Sequence, residues 1–242
     1  MDYRDFKKLN QTGAEHFWYK ARRILINDLL NLALPVRDPN RKIIELGCGT
    51  GIQLPLLAQF GTVEGLDIAP ESIALAKRSG FSARVFNIET ELLEKDSLEV
   101  IACFDVLEHI KDDALALKKI FEALKPNGIL LFSVPAVPWL FSPHDKAASH
   151  YRRYSQKEII NKLKAAGLTL KTINYWNSWL FPAIALMRTI KKIINPRGTA
   201  SSDTKPLPNF INRGLYQILA AETKSEFKLP WGLSLCGYAV KK

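Results

Sequence analysis

Long apolar runs are missing from this sequence. No window reaches the ~18 unbroken apolar residues that a membrane span needs. The opening MDYRDFKKLN has no apolar core of a signal peptide, so the protein is expected in the cytoplasm, in solution or associated with a membrane surface. Cysteine is scarce. Cys48, Cys103 and Cys236 are scattered, which argues against a disulfide framework or a zinc site and for reduced, buried thiols. No Gly-Lys-Ser/Thr follows a glycine turn, so a P-loop is excluded. There is no repeat with a period of 20–50 residues and no nucleic-acid recognition motif, so nucleic acid is not an expected partner. Acidic residues are thin in one region. Residues 1–150 hold 18 Lys+Arg against 20 Asp+Glu, whereas 151–242 hold 16 against 4. The net charge of +10 therefore belongs to the C-terminal part. Such a field favours an anionic partner or serves solubility.

What is present suits one α/β domain, 1–242, with an insertion. Hydrophobic residues make up 47% and charged residues 24%, enough for a sizeable core. EHFWYKARRILINDLLNLAL reads as an amphipathic helix (Ile24, Leu25, Leu29, Leu32) that stops at Pro35. Strands and helices then alternate. RKIIEL, TVEGLDI, SARVFNI, LEVIACF, PNGILLFSVP (a turn entering a strand) and LTLKTINYW are the strands. IQLPLLAQF, PESIALAKRSG, KDDALALKKIFEAL and SQKEIINKLKAAG are the helices, the last with Ser155 and Glu158 as a capping box. PWGLSLCGYAVKK makes a seventh strand. Alternation of this kind predicts a Rossmann-like, doubly wound, mostly parallel sheet covered on both faces, with an N-terminal helix and a helical insertion or lid at about 180–228. Ligands bind at the carboxyl ends of such strands.

The first strand ends at Glu45 and Leu46, and Gly47, Gly49 and Gly51 turn the chain towards a helix. Glycine permits positive φ and close approach of a ligand to the backbone. The Gly-x-Gly-x-Gly spacing differs from the Gly-x-Gly-x-x-Gly of a dinucleotide site. Asp67 at the second strand end can accept from two ribose hydroxyls. Asn87 at the third can read an adenine edge, and Phe104 at the fourth can pack on the ring. Four strand ends thus converge on one nucleoside-sized ligand.

ELGCGTG, GLDIAPESIALAK, CFDVLEHI and LKPNGILLFSVPA, in this order, resemble the class I S-adenosylmethionine-dependent methyltransferases of the small-molecule type 11/12 branch, over roughly residues 14–175. The resemblance implies S-adenosylmethionine as cofactor and S-adenosylhomocysteine as product. It implies that the turn Gly47–Cys48–Gly49–Gly51 holds the methionine part, with Glu45 orienting it through its amino group or a water. It further places Asp67 on the ribose, Ile68, Asn87 and Ile88 around the adenine, and Phe104 beside the methionine and sulfonium. Arg22 or Arg23 would meet the cofactor carboxylate. Many relatives carry Asp at or beside the Asn87 position.

Methyl transfer needs a base only when the acceptor is a hydroxyl or an acidic carbon. In FDVLEHI, Asp105 and Glu108 have capping-box spacing before the next helix, which accounts for both. Relatives that methylate quinone precursors resemble this segment and use its acidic residues and His for a divalent metal, so Asp105, Glu108 and His109 form the alternative to a metal-free site. SPHDKAASHYRRYS follows the fifth strand. His150 and His144 are its candidate bases, His150 preferred because the aromatic-basic run begins there. Tyr151, Arg152, Arg153 and Tyr154 are candidates for holding an anionic substrate.

Residues 181–195 form an amphipathic helix with Arg188, Lys191, Lys192 and Asn195 on one stripe and Ile184, Met187, Ile190 and Ile194 on another. Trp176 and Trp179 precede it and Phe181 opens it. The segment is a lid, a core helix or a contact with an anionic membrane surface. PRGTASSDTKPLP is a polar linker. The expected activity is methyl transfer to a small acceptor, lipophilic or lipid-linked and anionic, at oxygen. The alternatives are a metal-assisted O-methyltransferase of the quinone-precursor type, or a non-catalytic cofactor-binding protein of the same fold.

Overall fold

The computed structural model describes residues 15–194 and 207–242. In chain order its elements are α1 Phe17–Ala33, β1 Lys42–Leu46, α2 Leu54–Leu57, β2 Thr62–Asp67, α3 Pro70–Arg78, β3 Ser82–Val85, β4 Leu98–Phe104, α4 Asp113–Ala123, β5 Leu124–Pro135, α5 Pro143–Ala147, α6 Gln156–Ala165, β6 Leu168–Trp176, α7 Phe181–Ile194, α8 Asn209–Lys224 and β7 Ser234–Lys241. Short 3₁₀ turns span Leu107–His109 and Pro138–Leu140. The opening MDYRDFKKLN, the linker at 195–206, and the side chains of Lys191, Lys192, Ile194 and Asn195 lie outside the described residues.

The seven strands form one sheet in the order β3-β2-β1-β4-β5-β7-β6. β1 to β5 pair in parallel, and β7 runs antiparallel between β5 and β6. The order reverses between β1 and β4, so the crevice at their carboxyl ends is the switch point where ligands bind.

Two cores cover the two sheet faces. α4 and α6 bury Leu117, Ile120, Ile159 and Leu163 against Ile101, Leu130 and Phe132. On the other face α1, α2 and α3 bury Ile26, Leu30, Leu57 and Ile73 against Ile43, Val100 and Leu131. A third cluster around Trp176 joins Ala21 of α1 to Leu219 of α8.

Sequence and structure differ in a few places. α1 buries Ala21, Ile26, Leu29 and Leu30, while Leu32 from the expected stripe faces solvent. The IQLPLLAQF helix shrinks to Leu54–Leu57, with Pro55 confined to its first turn. β3 stops at Val85 rather than Ile88. Asn87 ends the extended run because its Oδ1 accepts from Glu89 N (2.9 Å), a local turn that competes with the ladder. The turn expected at PNG lies inside β5, where Asn127 adopts φ 65° and the register with β4 shifts. Ser155 does cap α6, accepting from Glu158 N. A full reciprocal capping box appears at α5, between Ser142 and Asp145.

Candidate active site

The glycine turn opens at the end of β1. Gly47, Gly49 and Gly51 all have positive φ (70°, 53° and 83°). A Cβ on Gly47 would reach Val106 Cγ2 at 2.3 Å, whereas one on Gly49 would meet nothing within 4 Å. Close packing thus demands glycine at the first position, and an open space lies beside the second. Cys48 turns its thiol inward under Gly65, and its N–H donates to Leu66 O (2.9 Å). Asp67 closes the turn from the end of β2: Oδ2 accepts from Gly49 N (2.8 Å) and Oδ1 from Ala69 N (2.9 Å). Each oxygen keeps further acceptor capacity.

Beside the turn sits a charged network. Glu45 is 4% exposed, and its Oε2 has no hydrogen-bond partner. Burial pushes this carboxyl up to about 8; the Arg22 cation pulls it down and the Asp67 charge pushes it up. Arg22 reaches in from α1, with Nη2 2.6 Å from Asp105 Oδ2 and its guanidinium 4.9 Å from the Trp18 ring centroid. Ser133 Oγ donates to Asp105 Oδ1 (2.9 Å). Tyr19 is half-buried within range of Arg22 and Asp105, and desolvation raises its hydroxyl pKa. Of the two candidate arginines, Arg22 therefore faces the site, while Arg23 is exposed.

A second cluster adjoins the first. His150 Nδ1 lies 3.2 Å from Asp145 Oδ1, its Nε2 lies 4.0 Å from Glu108 Oε1, and its ring meets His109 edge-on at 4.6 Å between centroids. Burial tends to raise Asp145, but hydrogen bonds from His150 and Arg153 outweigh it and hold the carboxyl well below the usual range. Glu108 is buried with neither oxygen hydrogen-bonded. Burial and the Asp105 charge hold it well above the carboxylate range. Burial and the neighbouring His150 lower His109. Ligand atoms of Glu108, His109 and His150 lie within 4.8 Å of one another, a group able to hold a metal ion.

Several expected assignments change. Asp105 and Glu108 form no capping box: Asp105 adopts φ 55° and pairs with Arg22, Glu108 is orphaned, and Asp112 caps α4 instead. Asp105 is spent on Arg22, and His150 takes its place beside Glu108 and His109. Arg153 is buried, with Nε and Nη2 on Asp145 (2.8 and 2.7 Å) and Nη1 on Ala136 O. Tyr154 is fully buried and donates to Asp113 Oδ2 (2.8 Å). Arg152 binds Asp113 and Lys111 O, while Tyr151 is exposed. His144 is half-buried on α5. Ile68 is exposed beside the turn, whereas Ile88 and Phe104 are buried in the two cores. Tyr19 and Ser133 were not foreseen as site residues. Tyr19 and Arg22 are three apart on a helix, which was the available signal.

A doubly wound sheet with a carboxylate-flanked glycine turn at its switch point defines a nucleoside-cofactor domain. The fit to S-adenosylmethionine rests on the unpartnered Oε2 of the buried Glu45 carboxyl, suited to the cofactor's ammonium, and on the open space at Gly49. The chain belongs to the methyltransferase-domain family, whose model matches residues 17–173. A ubiquinone biosynthesis O-methyltransferase from Pseudomonas fluorescens (strain SBW25) is 32% identical over 116 residues, 45% of this chain and 47% of that protein. The chain thus spans about half the length of this curated relative. A chain in the complex of the Haloferax volcanii Trm112 methyltransferase activator with a methyltransferase shares the fold with a TM-score of 0.62 at 16% identity, covering 97% of this chain and 94% of that one. A Bacillus halodurans C-125 methyltransferase does so at 0.61 and 17%, covering 88% and 97%.

Proposed function

We propose that this chain transfers the methyl group of S-adenosylmethionine to a hydroxyl oxygen of a small anionic acceptor, lipophilic or lipid-linked, with His150 taking the hydroxyl proton. The observation that carries the reading is the fixing of His150 Nδ1 by Asp145, which leaves Nε2 to act as the base. The O-methyltransferase relative supports oxygen as the methylated atom. Bound cofactor supplies an electrophilic methyl on a sulfonium. The chain's own task is to hold that group and the acceptor at near-attack distance. Gly47 to Gly51 would accommodate the methionine part, Glu45 its ammonium and Arg22 its carboxylate. Asp67 would take the ribose hydroxyls, and Ile68 and Asn87 the adenine. Ile88 and Phe104 would support those contacts from the core. Tyr151 would line the acceptor's approach.

Two measurements test this. Titration calorimetry with S-adenosylhomocysteine should show binding to the folded protein; none would sink the cofactor assignments. Methyl-labelled cofactor incubated with cell extract should pass label to an extractable product. His150→Ala should slow that transfer by roughly 10²–10⁴-fold, and an unchanged rate removes His150 as the base.

The convergence of Glu108, His109 and His150 favours a second reading, in which a divalent cation held there lowers the pKa of the acceptor hydroxyl. Loss of label transfer on chelation, restored by added magnesium or manganese, supports the second reading over the first.

A further inference from the structure

More than half of the exposed large apolar side chains among the described residues fall between residues 179 and 231. On α7, Leu186 (62% exposed), Met187 and Ile190 point outward while Ala185 is buried. On α8, Phe210 (78%), Ile211 and Ile218 point outward while Leu219, Glu222 and Thr223 face the core. Trp179, Phe227 and Trp231 lie exposed in the flanking loops. This is too much apolar surface for scattered chance exposure. Its position is also informative. α7 packs against the Pro138–Leu140 turn that follows the carboxyl end of β5, and α8 packs against α1, the helix that carries Arg22. The apolar face therefore borders the crevice at the strand ends.

The charge of this stretch of sequence is one-sided. Between 179 and 231 the sequence has eight basic residues and three acidic ones. One of the three, Glu222, is buried and accepts from the N–H groups of Ser178 and Trp179. Arg213 and Lys224 are exposed on α8, beside its apolar stripe. A second copy is a poor occupant, because a two-fold interface would set this basic rim against itself. No helix among the described residues is long and apolar enough to cross a membrane. Outward apolar and aromatic side chains with a basic rim suit a surface that lies in the plane of an anionic bilayer.

We propose that α7, α8 and the aromatic residues beside them seat this protein on an anionic membrane surface, with the strand-end crevice at the edge of the contact. The experiment is flotation of the whole chain with phosphatidylcholine vesicles, with and without phosphatidylglycerol. Wild type should float with the anionic vesicles, and less so as salt rises. Leu186→Asp with Phe210→Asp should lower partitioning at least about tenfold. Arg213→Glu with Lys224→Glu should lower it by roughly fivefold or more per residue. Both variants should keep wild-type affinity for S-adenosylhomocysteine, which shows that they are folded. No flotation of wild type overturns the proposal, as does equal flotation of the variants. A dimer that Leu186→Asp/Phe210→Asp dissociates, without any flotation, assigns the face to a second copy and also overturns it.

Discussion

Glu45 keeps its proton at pH values where most carboxyls have lost theirs. Its folded pKa of about 8 exceeds the usual 4.5 because burial removes water from the anion. The folded chain therefore binds a proton between these values that the unfolded chain has released. By linkage, the cofactor-free protein loses stability as pH rises through that window. Glu45→Gln should abolish that part of the slope in denaturant titrations from pH 5 to pH 8. The same variant should weaken S-adenosylhomocysteine binding by about 10- to 100-fold in calorimetry, the worth of one charge-assisted hydrogen bond of roughly 1.5–3 kcal/mol. Asp145 presents the opposite case. It is a buried anion held by Arg153, by His150 and by Ser142 N–H. Removing its charge strands a buried guanidinium, so Asp145→Asn should cost about 3–5 kcal/mol in unfolding free energy.

At the scale of elements, position is decided by turns more than by the strands they join. Gly47 is held at φ 70° with Val106 against its α-carbon. Gly47→Ala should therefore lower stability by about 1–3 kcal/mol, read as a fall in the thermal midpoint. Asp112 Oδ1 accepts from Leu115 N, so Asp112→Ala should cost about 1 kcal/mol. These turns also mark where sequence stops being sufficient. β6 was legible to the residue, and the glycine turn with Asp67 was legible as a site, because apolar runs and local spacing encode both. Asp105 and Glu108 were misread as a cap. Their three-residue spacing matched the local pattern, but Asp105's partners, Arg22 and Ser133, come from distant elements. Arg153 and Tyr154, read from the sequence as groups for an anionic substrate, pair with Asp145 of α5 and Asp113 of α4, partners that local spacing does not reveal. The choice between Arg22 and Arg23 needed the direction of α1, which spacing alone left open.

The whole molecule is two halves with different charge and different pairing. Residues up to 150 supply the glycine turn, Asp67 and Glu45, and carry near-balanced charge. The remainder supplies the basic apolar face. The halves join where β7 enters the sheet between β5 and β6. Among the described residues β6 pairs with β7 alone, so within them it has no strand partner until residues 234–241 have been made. During synthesis, the free edges of β5 and β6 must wait unpaired while α7, α8 and the segment between them emerge. Closure of the sheet is thus a late, long-range event, of the kind that slows folding and exposes strand edges to other chains. A chain cut after residue 233 should appear mainly in the insoluble fraction on expression, even though it keeps every residue assigned here to cofactor and acceptor. None of the residues proposed for cofactor or acceptor lies on the last strand; it decides when the nascent chain stops being vulnerable to aggregation.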